Sequence, residues 1–429
     1  MRCIRLHTPL TNEKGVTIVL VAILMVVLVM FVAIAVDLGH LYVARNELQN
    51  AADAGALAGA RMLYIDGNAT LVNEGANQTA YDAAIANLSE GVAVEVNWDG
   101  GNEGDVQRGH WSFANGGVFT SNASLAVVDL WGVSTAELDA NTDFINAVQV
   151  TVRRQNTPVT SFFAGIFGLD RFIMSAQAVA YLGFAGSLLP GDVDQPIAIC
   201  EESIINPDNE YDCNIGRFIN SGQNVQNNET GGWTSLEQDM ACTGGTNSQE
   251  MRSLICSNSA LPAVDLGEPI ATNGGQIQSA FDDLYDCWHE AVGGTSPWNL
   301  TLPVVECPGN NITTCQKLVG AVNLNVIWMF DNTFNPNNPN PNDMPTEMSV
   351  SQEGQTTSWS SAEAGSGATP QQIWDSFANR FNLRNVDGSP APMQQKAIYF
   401  LPDCNPHDPA GLTGGQNFGI LAKIPVLVD

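Results

Sequence analysis

Residues 13–60 read EKGVTIVLVAILMVVLVMFVAIAVDLGHLYVARNELQNAADAGALAGA, and they decide the fold. Val16 to Val36 is an uninterrupted apolar run of 21 residues in which Thr17 is the only polar side chain. At a rise of 1.5 Å per residue such a run spans ~30 Å, the thickness of a bilayer's hydrocarbon core. Helix is the only single-segment structure that satisfies its own backbone there. Asp37 ends the run, yet an Ala/Gly-rich helical pattern follows at once, with no turn signal between. One long helix is expected, beginning in lipid and ending outside it.

The flanks orient that helix. Arg2, Arg5 and Lys14 precede the run, whereas Arg45 alone follows it closely. The positive-inside tendency puts residues 1–15 in the cytoplasm, makes 16–36 a single transmembrane pass and sends residues 37–429 outside. Ala33-Ile34-Ala35 has the small-x-small form of a signal-peptidase site, which is the competing reading. The run exceeds the usual ~7–15 apolar residues of a signal peptide, and a cut there would sever the helix pattern, so an uncleaved anchor is expected.

Past the membrane, Leu41, Leu48, Gly55 and Met62 recur every seven residues, as do Ala44, Ala51, Ala58 and Ile65. They form an a/d stripe, half of it Ala or Gly, against which a partner backbone can come unusually close. A later helix near Ala76–Leu88 is the expected cover, with a bundle shared among pilin-like subunits as the alternative. The period then changes. Val92–Trp98, Arg108–Phe113, Ala147–Arg154 and Ser175–Phe184 alternate as strands do, and Pro158–Gly168 reads as a short helix capped by Asn156 or Thr157. A long helix on an antiparallel sheet over residues 37–189 is the resulting expectation.

Several of these stretches also resemble a known family. Gly15, Ala35-Val36-Asp37-Leu38-Gly39, Leu41-Tyr42 and Leu48 through Ala60 are similar to the N-terminal region of TadG-like proteins of the bacterial tight-adherence (Tad, or Flp) pilus machinery. Arg108-Gly109-His110-Trp111, Asn146 through Val152 and Ser175 through Ala180 look family-like too, and the likeness fades beyond about residue 190. The resemblance implies a bacterial inner-membrane, pilin-like accessory protein that assists pilus assembly and adherence, with its bulk in the periplasm or at the cell surface. It implies membrane lipid and other Tad pilus-assembly or pilin-like subunits as partners, and no catalytic site. Two departures matter. Position five after Gly15 is Leu20, where processed type IV pilins carry an acidic residue. The Asp-x-Ser-x-Ser metal motif of larger TadG-like proteins is absent.

Leu189-Pro190-Gly191-Asp192 is a turn cluster and the expected boundary of a second domain, 190–429. Short strand-like runs there (Ile197–Cys200, Leu302–Val305, Ala321–Phe330, Lys396–Leu401, Phe418–Val428) predict a β-rich domain closed by a C-terminal strand, with helices at Gln276–Glu290 and Pro370–Phe381. Asn332–Thr346 and Glu353–Gly367 read as exposed loops. The fold class is thus α+β. All nine cysteines but Cys3 lie in this second half: Cys200, Cys213, Cys242, Cys256, Cys287, Cys307, Cys315 and Cys404. Eight in an exported segment predict up to four disulfides. Sequence does not choose among the 105 pairings; local pairing gives Cys200–Cys213, Cys242–Cys256 and Cys307–Cys315, leaving Cys287–Cys404.

All 45 Asp and Glu except Glu13, and all 16 Lys and Arg except Arg2, Arg5 and Lys14, follow the membrane run, an excess of 31 negative charges before histidine. Such a surface repels phosphate backbones, so no nucleic-acid partner is expected. Catalytic signals are missing: the five histidines are far apart, and neither a nucleophile elbow nor a phosphate loop occurs. No enzyme and no cofactor are expected. Asp331, Thr333 and Asn335 follow an apolar strand at i, i+2 and i+4, oxygen-ligand spacing for Ca²⁺ or Mg²⁺, but a strand running into a turn is the plainer reading. An anchored adhesin, binding a surface ligand through Trp233, Trp288, Trp298 and Trp359 of the second domain, is the alternative to a pilus-assembly role.

Overall fold

The computed structural model describes residues 13–64, 71–130, 133–204, 213, 231–238, 248–256, 261–274, 277–308, 312–352, 355–384, 389–407, 409, 411 and 413–429. Helix α1 runs unbroken from Glu13 to Arg61, 49 residues. No proline interrupts it, and the single mid-helix weak point between the apolar and polar halves is Gly39, a cost of about 1 kcal/mol that the flanking residues outweigh. Among the described residues, α1 holds the one helix segment long and apolar enough to cross a membrane. Its side chains from Thr17 to Val36 are exposed around the circumference, Ala33 being half-buried.

From Ala44 onward α1 lies on a sheet. A short helix, α2 (Ala76–Ile85), packs beside it. The sheet comprises β1 (Val106–Ser112), β2 (Val118–Ser121), β3 (Ala147–Thr160), β4 (Arg171–Tyr181) and a C-terminal strand (Val426–Leu427). The order is C-terminal strand, β4, β3, β1, β2, antiparallel throughout. The final strand therefore adds to the first sheet and does not close the second, because Val426 and Leu427 pair with Tyr181 and Ala180. The β3–β4 hairpin is longer than the sequence pattern implied. Pro158 sits in the register shift between Arg154 and Val159, where its missing N–H costs no ladder bond. The short helix expected at Pro158–Gly168 shrinks to one 3₁₀ turn, Ala164–Phe167. Asn156 and Thr157 do not cap it; their amides and side chains donate to the Glu95 carboxylate, bracing the bulge.

The second sheet is formed by β5 (Ile197–Cys200), β6 (Gly231–Thr234), β7 (Pro269–Asn273), β8 (Trp298–Val305), β9 (Cys315–Phe330) and β10 (Ala397–Phe400), with Asn405–Pro406 also on β9. The order is β7-β6-β5-β8-β9-β10, and β7 pairs again with the start of β9, so the pairings run in a ring. Two amphipathic helices flank it: α3 (Gln278–Val292) and α4 (Pro370–Arg380). The second is announced by a capping box, Thr369 with Gln372, and by Pro370 at its first turn. Trp288, Trp328, Phe330, Phe334, Trp374 and Tyr399 fill this core. Glu347–Gln352 and Gln355–Ser360 form a hairpin whose second strand lies where the composition pointed to a loop, because Met348, Val350 and Trp359 insert into the core.

Disulfides join Cys200 to Cys307, Cys213 to Cys404 and Cys256 to Cys287, at Cα separations of 5.4, 5.6 and 6.2 Å. Cys315 is disulfide-bonded as well, and Cys242 lies outside the described residues. The three local pairings expected from spacing, and the remaining Cys287–Cys404, are all overturned. Topology is the reason: β5 and β8 are parallel neighbours, with Cys200 opposite Val305, so Cys307 is adjacent in space across 107 residues of chain.

Beside that bridge Glu201 is half-buried, and burial together with the neighbouring Glu202 and Glu306 carboxylates raises its pKa from 4.5 to about 7, against the pull of Lys317. A carboxyl with a raised folded-state pKa contributes stability at acid pH that is lost as pH rises through about 7. Replacing Glu201 by Gln should flatten the pH dependence of thermal unfolding between pH 4.5 and about 7. A variant that tracks the wild type across this window would contradict the assignment.

Candidate functional site: the stem helix and its bed

The face that α1 turns to the protein is built from the smallest side chains. Ala44, Leu48, Ala51, Ala52, Ala56 and Ala60 have no exposed surface. Of the heptad positions, Ala44, Leu48, Ala51 and Gly55 are buried, Leu41 and Ala58 are half-buried, and Met62 is 40% exposed. The buried face passes instead to Ala52, Ala56, Gly59, Ala60 and Leu63. An uncoiled helix drifts ~20° per heptad, which carries a strict seven-residue stripe off the contact. Ile65 of the second series lies outside the described residues.

The bed matches this face. On β3 the inward residues are Val148, Val150 and Val152, and their cross-strand partners on β4 are Ala180, Ala178 and Ala176. Each rung thus offers one branched and one minimal side chain. Gly55 and Gly59 fit where α1 crosses both the valines and α2. A Cβ on Gly59 would lie 2.7 Å from Ala80 Cβ and 2.9 Å from Val148 Cγ1; one on Gly55 would lie 2.9 Å from Ala84 Cβ. The helix expected near Ala76–Leu88 is therefore the cover for this stretch, through Ala76, Ala80 and Ala84.

Polar groups fasten the ends. At the outer end the Tyr64 hydroxyl donates to the Ile145 carbonyl at 2.6 Å, and burial raises its pKa. In the middle, Ser89 Oγ donates to the Ala44 carbonyl, and the Glu90 amide donates to Glu47 at 2.6 Å. At the end next to the apolar run Asp37, 6% exposed, accepts from the backbone amides of Phe162, Phe163 and Ala164 at 2.8, 3.1 and 2.6 Å. The carboxylate so caps the 3₁₀ turn at the tip of the β3–β4 hairpin, satisfying amides that have no partner within the turn. Sequence reasoning did not find this role; its signal was an acidic residue ending an apolar run without ending the helix.

The family-like residues of β1 form a second tie. Arg108 is buried, its amide donating to Asn102 Oδ1, while Asn102 donates back to the Arg108 carbonyl and accepts from Asn77 of α2. Asn146 holds the Trp111 backbone through both its amide groups, and the buried His110 ring sits between the carbonyls of Phe144 and Asp139. These residues are structural joints around a sheet.

Elsewhere the sequence candidates are engaged in turns, a disulfide and a core. Asp331 accepts from Thr333 N, Thr333 Oγ1 and Phe334 N, an Asx turn that occupies both carboxylate oxygens, and Asn335 caps the next turn through Asn337 N. Cys200, Glu202 and Cys307 cluster within 4.8 Å, but both sulfurs are spent on their disulfide. Trp233, Trp288 and Trp359 are at most 3% exposed and belong to the second core, and Trp298 is half-buried against it. The ligand-binding aromatics of the adhesin reading are thus packing residues.

Two substitutions separate close packing from helix propensity. Gly59→Ala should destabilise detergent-solubilised full-length protein by about 1–3 kcal/mol through overpacking. Gly39→Ala, whose added carbon meets nothing within 4 Å, should stabilise it by about 0.5–1 kcal/mol. Thermal melts reporting equal effects would contradict the packing assigned to Gly59.

Comparison with known proteins gives two matches. The TadE/G-like Flp pilus-assembly domain matches residues 15–62, and the Tad-like Flp pilus-assembly domain Tad_C matches residues 58–180. Neither a curated protein nor a solved structure matches the chain. The two domains cover α1, its cover helix and the sheet beneath it up to Ala180 of β4, so the geometry described above is that of the matched region. Over residues 15–180 this chain is similar to Tad-like Flp pilus-assembly domains, and that similarity supports a role in the assembly of Tad pili.

Proposed function

We propose that this protein is a pilin-like accessory subunit of the Tad pilus system, anchored in the bacterial inner membrane by residues 16–36. Its N-terminus is cytoplasmic and its bulk, residues 37–429, stands in the periplasm or at the cell surface. It assists fibre assembly and adherence without catalysing a reaction, and it needs no cofactor. Its partners are membrane lipid and other pilus-assembly or pilin-like subunits, not nucleic acid, which an excess of 31 negative charges outside the membrane repels.

One observation carries this reading: a single continuous helix whose first part is exposed and apolar and whose second part is locked on an antiparallel sheet. That is the arrangement of a pilin-like subunit. The lipid-facing part leaves a full apolar circumference for a bilayer or for neighbouring stems. The locked part keeps the sheet at a fixed height above it. Near the stem, Asp37, Ser89 and Tyr64 bind backbone partners, and His40 Nε2 stands 2.8 Å from Glu90 Oε1.

An in-frame deletion in the producing bacterium, complemented in trans, tests the proposal. Electron microscopy should show loss of surface pili, restored by the intact gene and not by one lacking residues 16–36. Normal piliation in the deletion strain would overturn it.

A further inference from the structure

The hairpin tip that Asp37 holds is unusually apolar for a surface turn. Phe162 is 66% exposed, Ile166 81%, Phe167 69%, Leu169 58% and Ile173 70%. These residues lie within one turn and the start of β4, between the buried Val159 of β3 and Ala176 of β4. A patch of this kind on a soluble surface marks a contact with lipid or protein.

Its height on the stem is fixed. Asp37 takes three backbone amides of the tip, His40 Nε2 lies 3.1 Å from the Thr160 carbonyl, and the His40 ring stands 4.7 Å from that of Phe162. Asp37 is also the residue that ends the apolar run. The exposed surface of the tip is therefore continuous with that of the stem, through Val36 and Leu38. With the run centred in a bilayer, the tip meets the boundary between headgroups and acyl chains, where amphipathic elements bury apolar groups ~5–10 Å deep. Two sets of polar groups suit that depth. The amides of the turn are paired with Asp37, and Arg171, exposed at the start of β4, can reach outward to phosphate.

We propose that residues 161–173 form a second membrane contact, an apolar wedge seated in the outer-leaflet interface of the membrane that α1 spans. The proposal rests on α1 being a bilayer-spanning stem. Two contacts, a stem and a wedge to one side of it, resist rotation and tilt that a lone helix permits, so the wedge orients the sheet relative to the membrane plane.

Depth-dependent quenching tests this on the full-length protein in nanodiscs. An environment-sensitive fluorophore is placed at Ile166→Cys, and separately at Leu28→Cys, each in a Cys3→Ser background. Lipids carrying a quencher near the headgroup should extinguish the Ile166 probe, and lipids with a quencher near the bilayer centre should extinguish the Leu28 probe. A Leu28 probe quenched by the deep lipids beside an Ile166 probe that no lipid quenches overturns the wedge and leaves the stem standing. If neither probe is quenched, the stem reading itself fails. An Ile166 probe shielded from lipid but transferring energy between copies assigns the patch to a second subunit and overturns the proposal.

Discussion

The structure depends on how closely one helix approaches one sheet. Along the buried face of α1, alanine and glycine stand opposite Val–Ala rungs, and the backbones are separated by little more than single methyl groups. Such a contact draws little from hydrophobic transfer, since each alanine buries a small area. It draws instead on dense dispersion contact between backbones, which falls off steeply with any gap. Tolerance is correspondingly narrow, because an added methyl at Gly59 meets Ala80 and Val148 together. A stem of the proposed membrane-spanning kind gains from this design, since the stem and the sheet become one lever with no hinge between the apolar run and the folded domain.

The polar residues around this contact serve the same end. Asp37, Glu47 and Tyr64 each tie a position on or beside the helix to a backbone group of a loop or strand, and Ser89 ties its own segment to the helix carbonyl of Ala44. Backbone partners move only when the fold moves, so the ties set the height of the helix along the sheet, which small side chains alone would leave free to slide. The C-terminal strand adds to the same sheet at β4, Leu421 belongs to the core beneath that sheet, and Ile420 and Ala422 belong to a cluster with Ala198 and Val305 of the second sheet. The second sheet is therefore enclosed in sequence between parts of the first.

Much of this was legible in the residues. The apolar run, the uninterrupted helix through Asp37, the small-residue character of its outer half and the cover at Ala76 all follow from periodicity and residue size. The capping box before Pro370 announced its helix. What failed did so where distant chain segments decide. A strict seven-residue stripe assumed supercoiling, whereas a straight helix on a twisted sheet shifts the contact to Ala52, Ala56 and Gly59. Local pairing of cysteines ignored the parallel placement of β5 beside β8. The tryptophans of the adhesin alternative sit in the second core, Trp298 half-buried against it, which is the plainer reading of such residues in sequence, because β9 and the two helices beside it supply a large aromatic interior. Asp37 was the deepest miss, since nothing adjacent in sequence names its partner 125 residues away.

The central claim is that the lipid-facing stem and the sheet-bound helix are one rigid rod. Pulsed electron–electron resonance between spin labels at Leu24 and Arg61, in full-length protein reconstituted in nanodiscs, measures this directly. A continuous helix rising 1.5 Å per residue predicts a narrow distance distribution centred at about 55 Å. A broad distribution, or one centred well below that distance, would mean that the chain bends where it leaves the membrane and would contradict the account.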